Sequence, residues 1–306
     1  MRILATDGID ASAVKKFQED GFEVVEKFYE PAELADALKD FDVVVVRSAT
    51  KLKDHALLDA VKGSRLKMII RAGVGLDSID VPYATQCGFQ VKNTPKSAQN
   101  AVAELAMGHI LSCARNISIS GYTMRQGQWE KKAYSKGIEL RGKTLGIVGF
   151  GRIGQRLGEI AKAFGMNVIA FDIYHVPGIE EKLGMKYVEM DELLAQADVI
   201  SVHAPAVNGG ALISKENIAK MKDGVIIVNT SRGSNVDEAA LLEALNSGKV
   251  MAAGLDVYMT ESVSNPELVN HPHVSCTPHI GSGTKEAQKG IGAELIEIIE
   301  AFAKTC

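Results

Sequence analysis

Short, unbroken apolar runs recur along this chain with amphipathic sequence between them, and this alternation restricts the fold more than any other feature. The runs at 3–5, 43–46 and 68–70 have the pattern of parallel strands buried on both faces. Between them, residues 11–19, 31–38 and 55–61 carry apolar side chains at helical spacing. Asp10 and Asp54 stand where an N-cap side chain belongs. Strand, helix, strand, helix predicts an α/β sheet covered by helices.

A second series begins at Lys143, with strands expected at 145–148, 168–171, 199–202, 225–229 and 252–256 and a short one around Val274. Between the two series, 98–124 reads as one long helix or two abutting ones, leading into a basic stretch at 129–136. A final amphipathic helix is expected over 284–304, with Ile291, Ala293, Leu295, Ile298, Ile299 and Phe302 at helical spacing. Spacing alone does not say which domain that helix covers. A chain of 306 residues is long for one core and comfortable for two.

A net charge of −4 argues against a general nucleic-acid or membrane-surface binder. No apolar stretch approaches the roughly 20 residues of a membrane helix, and the opening MRILATDG lacks a signal-peptide pattern. Cys87, Cys113, Cys276 and Cys306 are scattered without a C-x-x-C pair, so no metal or redox motif is expected. Reduced thiols in a cytosolic protein are the expectation.

Gly149-Phe150-Gly151-Arg152-Ile153-Gly154 is a G-x-G-x-x-G between an expected strand and an expected helix. A second apolar strand then ends at Asp172, 18 residues after Gly154, close to the spacing of a dinucleotide-binding βαβ unit. Gly149 permits the tight turn, Gly151 lets the backbone approach a pyrophosphate, and Gly154 allows close helix–sheet packing. The helix start at Arg152 and Ile153 offers free N–H groups to the phosphates. Asp172 would accept the adenosine ribose hydroxyls and repel a 2′-phosphate, which predicts NAD rather than NADP. Nearby His175 would soften that preference.

A dinucleotide-dependent oxidation of an alcohol needs a proton acceptor and a group that orients it, and an acidic substrate adds the need for a cation. Arg232, Glu261 and His279 each follow an expected strand of the second series, where ligands gather in open α/β sheets. Singly, a loop Arg is usually a solvated charge, a Glu after a strand is usually surface, and a His beside Pro and Gly often only satisfies a carbonyl. Their placement beyond successive strands of one sheet gives the set its weight.

With these residues in view, the chain resembles the D-isomer-specific 2-hydroxyacid dehydrogenases. The resemblance runs over VVRSATKL (45–52), RAGVGLDSID (71–80), KTLGIVGFGRIG (143–154), NTSRGSNVDEAALLEAL (229–245), AAGLDVY (252–258) and TPHIGSGTKEAQ (277–288). It implies two Rossmann-like or flavodoxin-like parallel-sheet domains. The NAD-binding domain, 98–282, is inserted in a discontinuous substrate-binding domain, 1–97 and 283–306, with the active site in the cleft between them. It implies catalytic roles for Arg232, Glu261 and His279; the family commonly has Pro after that Glu, whereas Ser262 follows here. It places Asp256 near the nicotinamide amide, or leaves it a buried strand-end carboxylate, with Thr230 and Pro205 along the cofactor path. Val74 and Gly75 resemble the backbone element that approaches the substrate carboxylate.

Within the family the chain is most like members acting on 3-phospho-D-glycerate. Arg47 resembles their phosphate-contacting arginine, and Lys131, Lys132 and Lys136 supply further cations. The resemblance implies a homodimer through the 98–140 region, with Lys131 and Lys132 able to approach a neighbour's site. Longer relatives carry C-terminal regulatory domains; this sequence ends at Cys306, so feedback through one is not expected. The rival readings are a family member acting on glyoxylate or hydroxypyruvate, and a nucleotide-sensing corepressor-like binding protein.

Overall fold

The computed structural model describes residues 1–207, 209–260 and 265–305. The chain divides into two compact units, Met1–Ala98 with Ser282–Cys306, and Gln99–Gly281.

In the first unit, β1 (Arg2–Ala5), β2 (Glu23–Glu26), β3 (Val43–Val46), β4 (Met68–Arg71) and β5 (Gln90–Asn93) form a parallel sheet in the order β2-β1-β3-β4-β5. Register sets Ile3 beside Val43 and Val46 beside Arg71. Successive residues face opposite sides of the pleat, so one apolar run feeds two cores. Val44 and Val46 pack with Leu34, Leu38, Leu57 and Leu58 on one face. Val43 and Val45 pack with Ala13, Phe17, Ile291, Leu295, Ile299 and Phe302 on the other. The last four belong to helix Lys285–Ala303, whose partner spacing alone left open. The carboxylate of Glu294 on this helix is buried and accepts the Lys96 amide and the Ser97 hydroxyl.

Asp10 and Asp54 cap as expected, accepting the Ser12 and Ala56 amides at 2.9 Å. The segment at 98–124 is two helices, Gln99–Arg115 and Ile117–Arg125. They are divided at Asn116, whose φ of 56° takes it out of helical conformation.

The second unit holds β6 (Thr144–Val148), β7 (Asn167–Phe171), β8 (Lys186–Tyr187), β9 (Val199–Val202), β10 (Val225–Asn229), β11 (Val250–Leu255) and β12 (Val274–Cys276). They form one sheet in the order β12-β11-β10-β9-β6-β7-β8, parallel at every pairing. The order reverses between β9 and β6, the crevice where such sheets bind dinucleotides. The polar edge strands β2, β5 and β8 were not among the strands expected from the sequence.

Candidate active site

The turn after β6 is built for an anion. Gly149 has φ of 91°, and a Cβ there would lie 2.5 Å from the Ala204 amide nitrogen, so no side chain fits. A Cβ on Gly154 would lie 2.4 Å from the Gly149 carbonyl oxygen; helix Arg152–Ala163 presses directly on the strand. Gly151 differs: a Cβ there meets nothing within 4 Å, so its backbone borders open space. It is also the helix N-cap and supplies no side-chain cap. The first amides of the helix, at Arg152, Ile153 and Gly154, therefore keep the donors that attract a phosphate. These residues fit a dinucleotide pyrophosphate.

Asp172, just beyond β7, accepts the Phe150 amide at 2.6 Å and the Tyr174 amide at 3.0 Å. Its carboxylate thus stands beside the glycine turn. Pro205 is exposed beyond β9, and its carbonyl and that of Ala204 accept the Asn235 amide group at 3.3 and 2.9 Å. Thr230 is buried, its hydroxyl 3.4 Å from His203 Nδ1.

The ends of β10, β11 and β12 are joined by hydrogen bonds. The Asp256 amide donates to the Asn229 carbonyl at 3.0 Å, and the His279 amide donates to the Asp256 carbonyl at 2.8 Å. A Cβ on Gly233 would lie 1.9 Å from the carbonyl carbon of Tyr258, so the Arg232-Gly233 turn packs flush on the segment after β11. Arg232 is half-buried and His279 exposed; Arg232 Nη1 donates to the Ser231 carbonyl at 2.5 Å. His279 has φ of 54°, a left-handed backbone uncommon outside glycine. Arg232 and His279 thus follow β10 and β12, the two strands that flank β11, while Glu261 lies outside the described residues.

The Asp256 side chain, 1% exposed, accepts the Thr277 hydroxyl at 2.6 Å and the amides of Ile280 and Gly281 at 2.8 and 2.9 Å. It folds the turn that carries His279.

In the first unit, Arg47 follows β3, half-buried, with its amide held by Asp7 at 2.6 Å. Arg71 ends the neighbouring β4 and donates to the Ser48 hydroxyl at 3.0 Å and the Ala72 carbonyl at 2.5 Å. Val74 and Gly75 lie in the loop after β4, where the Val74 carbonyl accepts the Asn93 side chain at 2.6 Å. Arg71 was not a sequence candidate, although the strand-end rule that selected Arg232 applies to it equally.

Lys131 and Lys132 are exposed on the short helix Lys131–Tyr134. Nearby in sequence, Ile117, Tyr122, Met124 and Trp129 are large apolar side chains left exposed, Trp129 at 77%. Among the described residues no helix is long and apolar enough to cross a membrane.

Residues 107–281 match the family "D-isomer specific 2-hydroxyacid dehydrogenase, NAD binding domain", and the chain belongs to the D-isomer-specific 2-hydroxyacid dehydrogenases. It is 46% identical to a hydroxypyruvate reductase of Thermotoga maritima, over 97% of each chain. It is 43% identical to a D-3-phosphoglycerate dehydrogenase of Methanocaldococcus jannaschii over 98% of its own length, and spans 57% of that relative. D-lactate dehydrogenase of Aquifex aeolicus, solved with NAD and lactic acid, superposes with a TM-score of 0.86 at 29% identity, over 100% of this chain and 96% of that one. The protein is thus an NAD-binding oxidoreductase with its cofactor domain inserted in the substrate domain.

Proposed function

We propose that the chain interconverts 3-phospho-D-glycerate and 3-phosphohydroxypyruvate, as a D-3-phosphoglycerate dehydrogenase in serine biosynthesis. The observation that carries this reading is the pair Arg47 and Arg71, at the carboxyl ends of adjacent parallel strands. A phosphate and a carboxylate on one small acid call for more than one cation.

Bound NAD supplies the acceptor for the hydride that leaves carbon 2. Gly151, Arg152, Ile153 and Gly154 would hold its pyrophosphate through backbone amides, and Asp172 its adenosine ribose. Neutral His279 takes the hydroxyl proton as the carbonyl forms, and returns it in the reverse direction. Glu261 pairs with the imidazolium so formed. Arg232 grips the carboxylate or polarises the reacting oxygen, and the amides of Val74 and Gly75 meet the carboxylate. Asp256, buried with three protein donors on its carboxylate, serves as a strand-end carboxylate that holds the turn of His279. The exposed apolar side chains of Ile117, Tyr122, Met124 and Trp129 would gain by burial in a homodimer, in which Lys131 and Lys132 extend toward the partner.

A second reading, reduction of hydroxypyruvate itself, is favoured by the near full-length match to the Thermotoga relative. Steady-state kinetics with NADH on phosphohydroxypyruvate, hydroxypyruvate and glyoxylate separate the two. The first reading expects kcat/KM for the phosphorylated acid to be higher by roughly ten- to hundredfold, the worth of one charge-assisted contact. A preference for hydroxypyruvate overturns it in favour of the second.

A further inference from the structure

Helix Gln99–Arg115 buries an apolar face of Ala103, Ala106, Met107 and Ile110. On the same helix His109 is 3% exposed. Strand β11 gives way to it: a Cβ on Gly254 would lie 2.5 Å from His109 Cβ. An imidazole in such a place costs stability unless both nitrogens are paired, and both are. Nδ1 lies 3.0 Å from the Ser275 hydroxyl, and Nε2 lies 3.0 Å from the Thr277 hydroxyl.

Counting protons fixes the direction of these bonds. Thr277 has one hydroxyl hydrogen, and it goes to Asp256 Oδ1 at 2.6 Å. Toward His109 the Thr277 oxygen can therefore only accept, so Nε2 carries the imidazole proton. Nδ1 then accepts from Ser275. The result is a one-way chain, Ser275 to His109 to Thr277 to Asp256. Burial lowers the His109 pKa despite the opposing pull of Asp256, which keeps the ring in this neutral form.

At its far end the chain meets the backbone that carries His279. Asp256 takes three consecutive amides, that of His279 on its carbonyl and those of Ile280 and Gly281 on its carboxylate. The left-handed backbone at His279 persists where the surroundings over-determine it, and these bonds do so. We infer that His109 is a positioning residue: through Thr277 and Asp256 it braces the turn that aims the His279 imidazole at substrate. This rests on the proposed acid–base role of His279.

The test measures kcat for reduction of hydroxypyruvate and of phosphohydroxypyruvate, with the NADH Kd from fluorescence titration. His109→Leu removes the chain's middle; His109→Gln keeps a donor toward Thr277 and an acceptor toward Ser275. Thr277→Val and Thr277→Ser form a second pair that decides the matter should His109→Leu fail to fold. A small misplacement of a reacting group costs up to about a hundredfold. The expected result is a roughly ten- to hundredfold lower kcat in His109→Leu and Thr277→Val, an NADH Kd within about twofold of the parent, and recovery in His109→Gln and Thr277→Ser. Unchanged kcat in the disrupting variants overturns the inference, as does failure of both conservative variants to recover. His279→Ala is assayed beside them. If it is inactive while His109→Leu and Thr277→Val turn over normally, only the brace is wrong. If it turns over normally, the acid–base role falls and takes the brace with it.

Discussion

Asp172 holds the Phe150 amide at 2.6 Å, so the carboxylate at the end of β7 is tied to the glycine turn after β6. A carboxylate fixed beside the turn that would cradle the pyrophosphate has little freedom to retreat from an additional phosphate. Two unit charges about 4 Å apart repel by up to about 4 kcal/mol at an effective dielectric near 20.

NAD is accordingly expected to be favoured over NADP, and Asp172→Asn, which keeps an acceptor for Phe150 and removes the charge, should narrow the ratio of kcat/KM values by about tenfold or more. His175, stacked on Tyr187 at 4.0 Å, stands close enough in sequence to assist a 2′-phosphate once the charge is gone. Equal efficiency with both cofactors in the parent protein would contradict the assignment.

Replacing His279 by Ala should lower turnover by about 10² to 10⁴, the usual worth of general acid–base catalysis, while NADH fluorescence titration shows binding retained. A folded variant with near-parent turnover would remove His279 from the mechanism.

Arg47→Ala should lower kcat/KM for phosphohydroxypyruvate by roughly ten- to hundredfold, as a lost charge-assisted contact implies, and affect hydroxypyruvate far less. Equal losses on both acids would make Arg47 structural or a carboxylate ligand.

Acid should destabilise the fold through His203. The residue as a whole is only partly covered, but its imidazole, 2.8 Å from the Ser201 hydroxyl, lies deep enough for burial to bring its pKa down to about 4. In the unfolded chain it titrates near 6.5. With the folded value the lower of the two, the unfolded state binds more protons below about 6.5. The contribution is complete above that pH and is lost as pH falls toward 4. Calorimetric Tm should drop over this window, and His203→Gln should flatten the drop; an unchanged slope would exclude His203 as its source.

What could be read in advance follows from burial. Strands such as β3, apolar at every position because both faces are covered, announce themselves. The edge strands β2 and β5, with sequences EVVE and QVKN, have a single neighbour each and keep polar residues facing water, so they resemble loops. The glycine turn was legible because each glycine answers a separate steric demand. Arg71 was hidden as part of a longer motif, and the partners of Asp256 were hidden altogether. Thr277, Ile280 and Gly281 meet its carboxylate only because β11 and β12 pair in parallel with Leu255 beside Cys276, a long-range register that no local pattern encodes.

The discontinuity of the first unit bears on the order in which the protein folds during synthesis. Residues 1–98 are made first, yet one face of their sheet is covered by Ile291, Leu295, Ile299 and Phe302. The Lys96 amide and the Ser97 hydroxyl meet their acceptor only on Glu294. Residues 99–281, contiguous in sequence, are synthesised in between, which takes roughly 10–40 s at about 5–20 residues per second. The inserted unit is therefore the first able to complete its core on the ribosome. Until helix Lys285–Ala303 is made, residues 1–98 keep one apolar face uncovered, and transiently exposed apolar surface of this kind is what makes partly folded chains prone to aggregate.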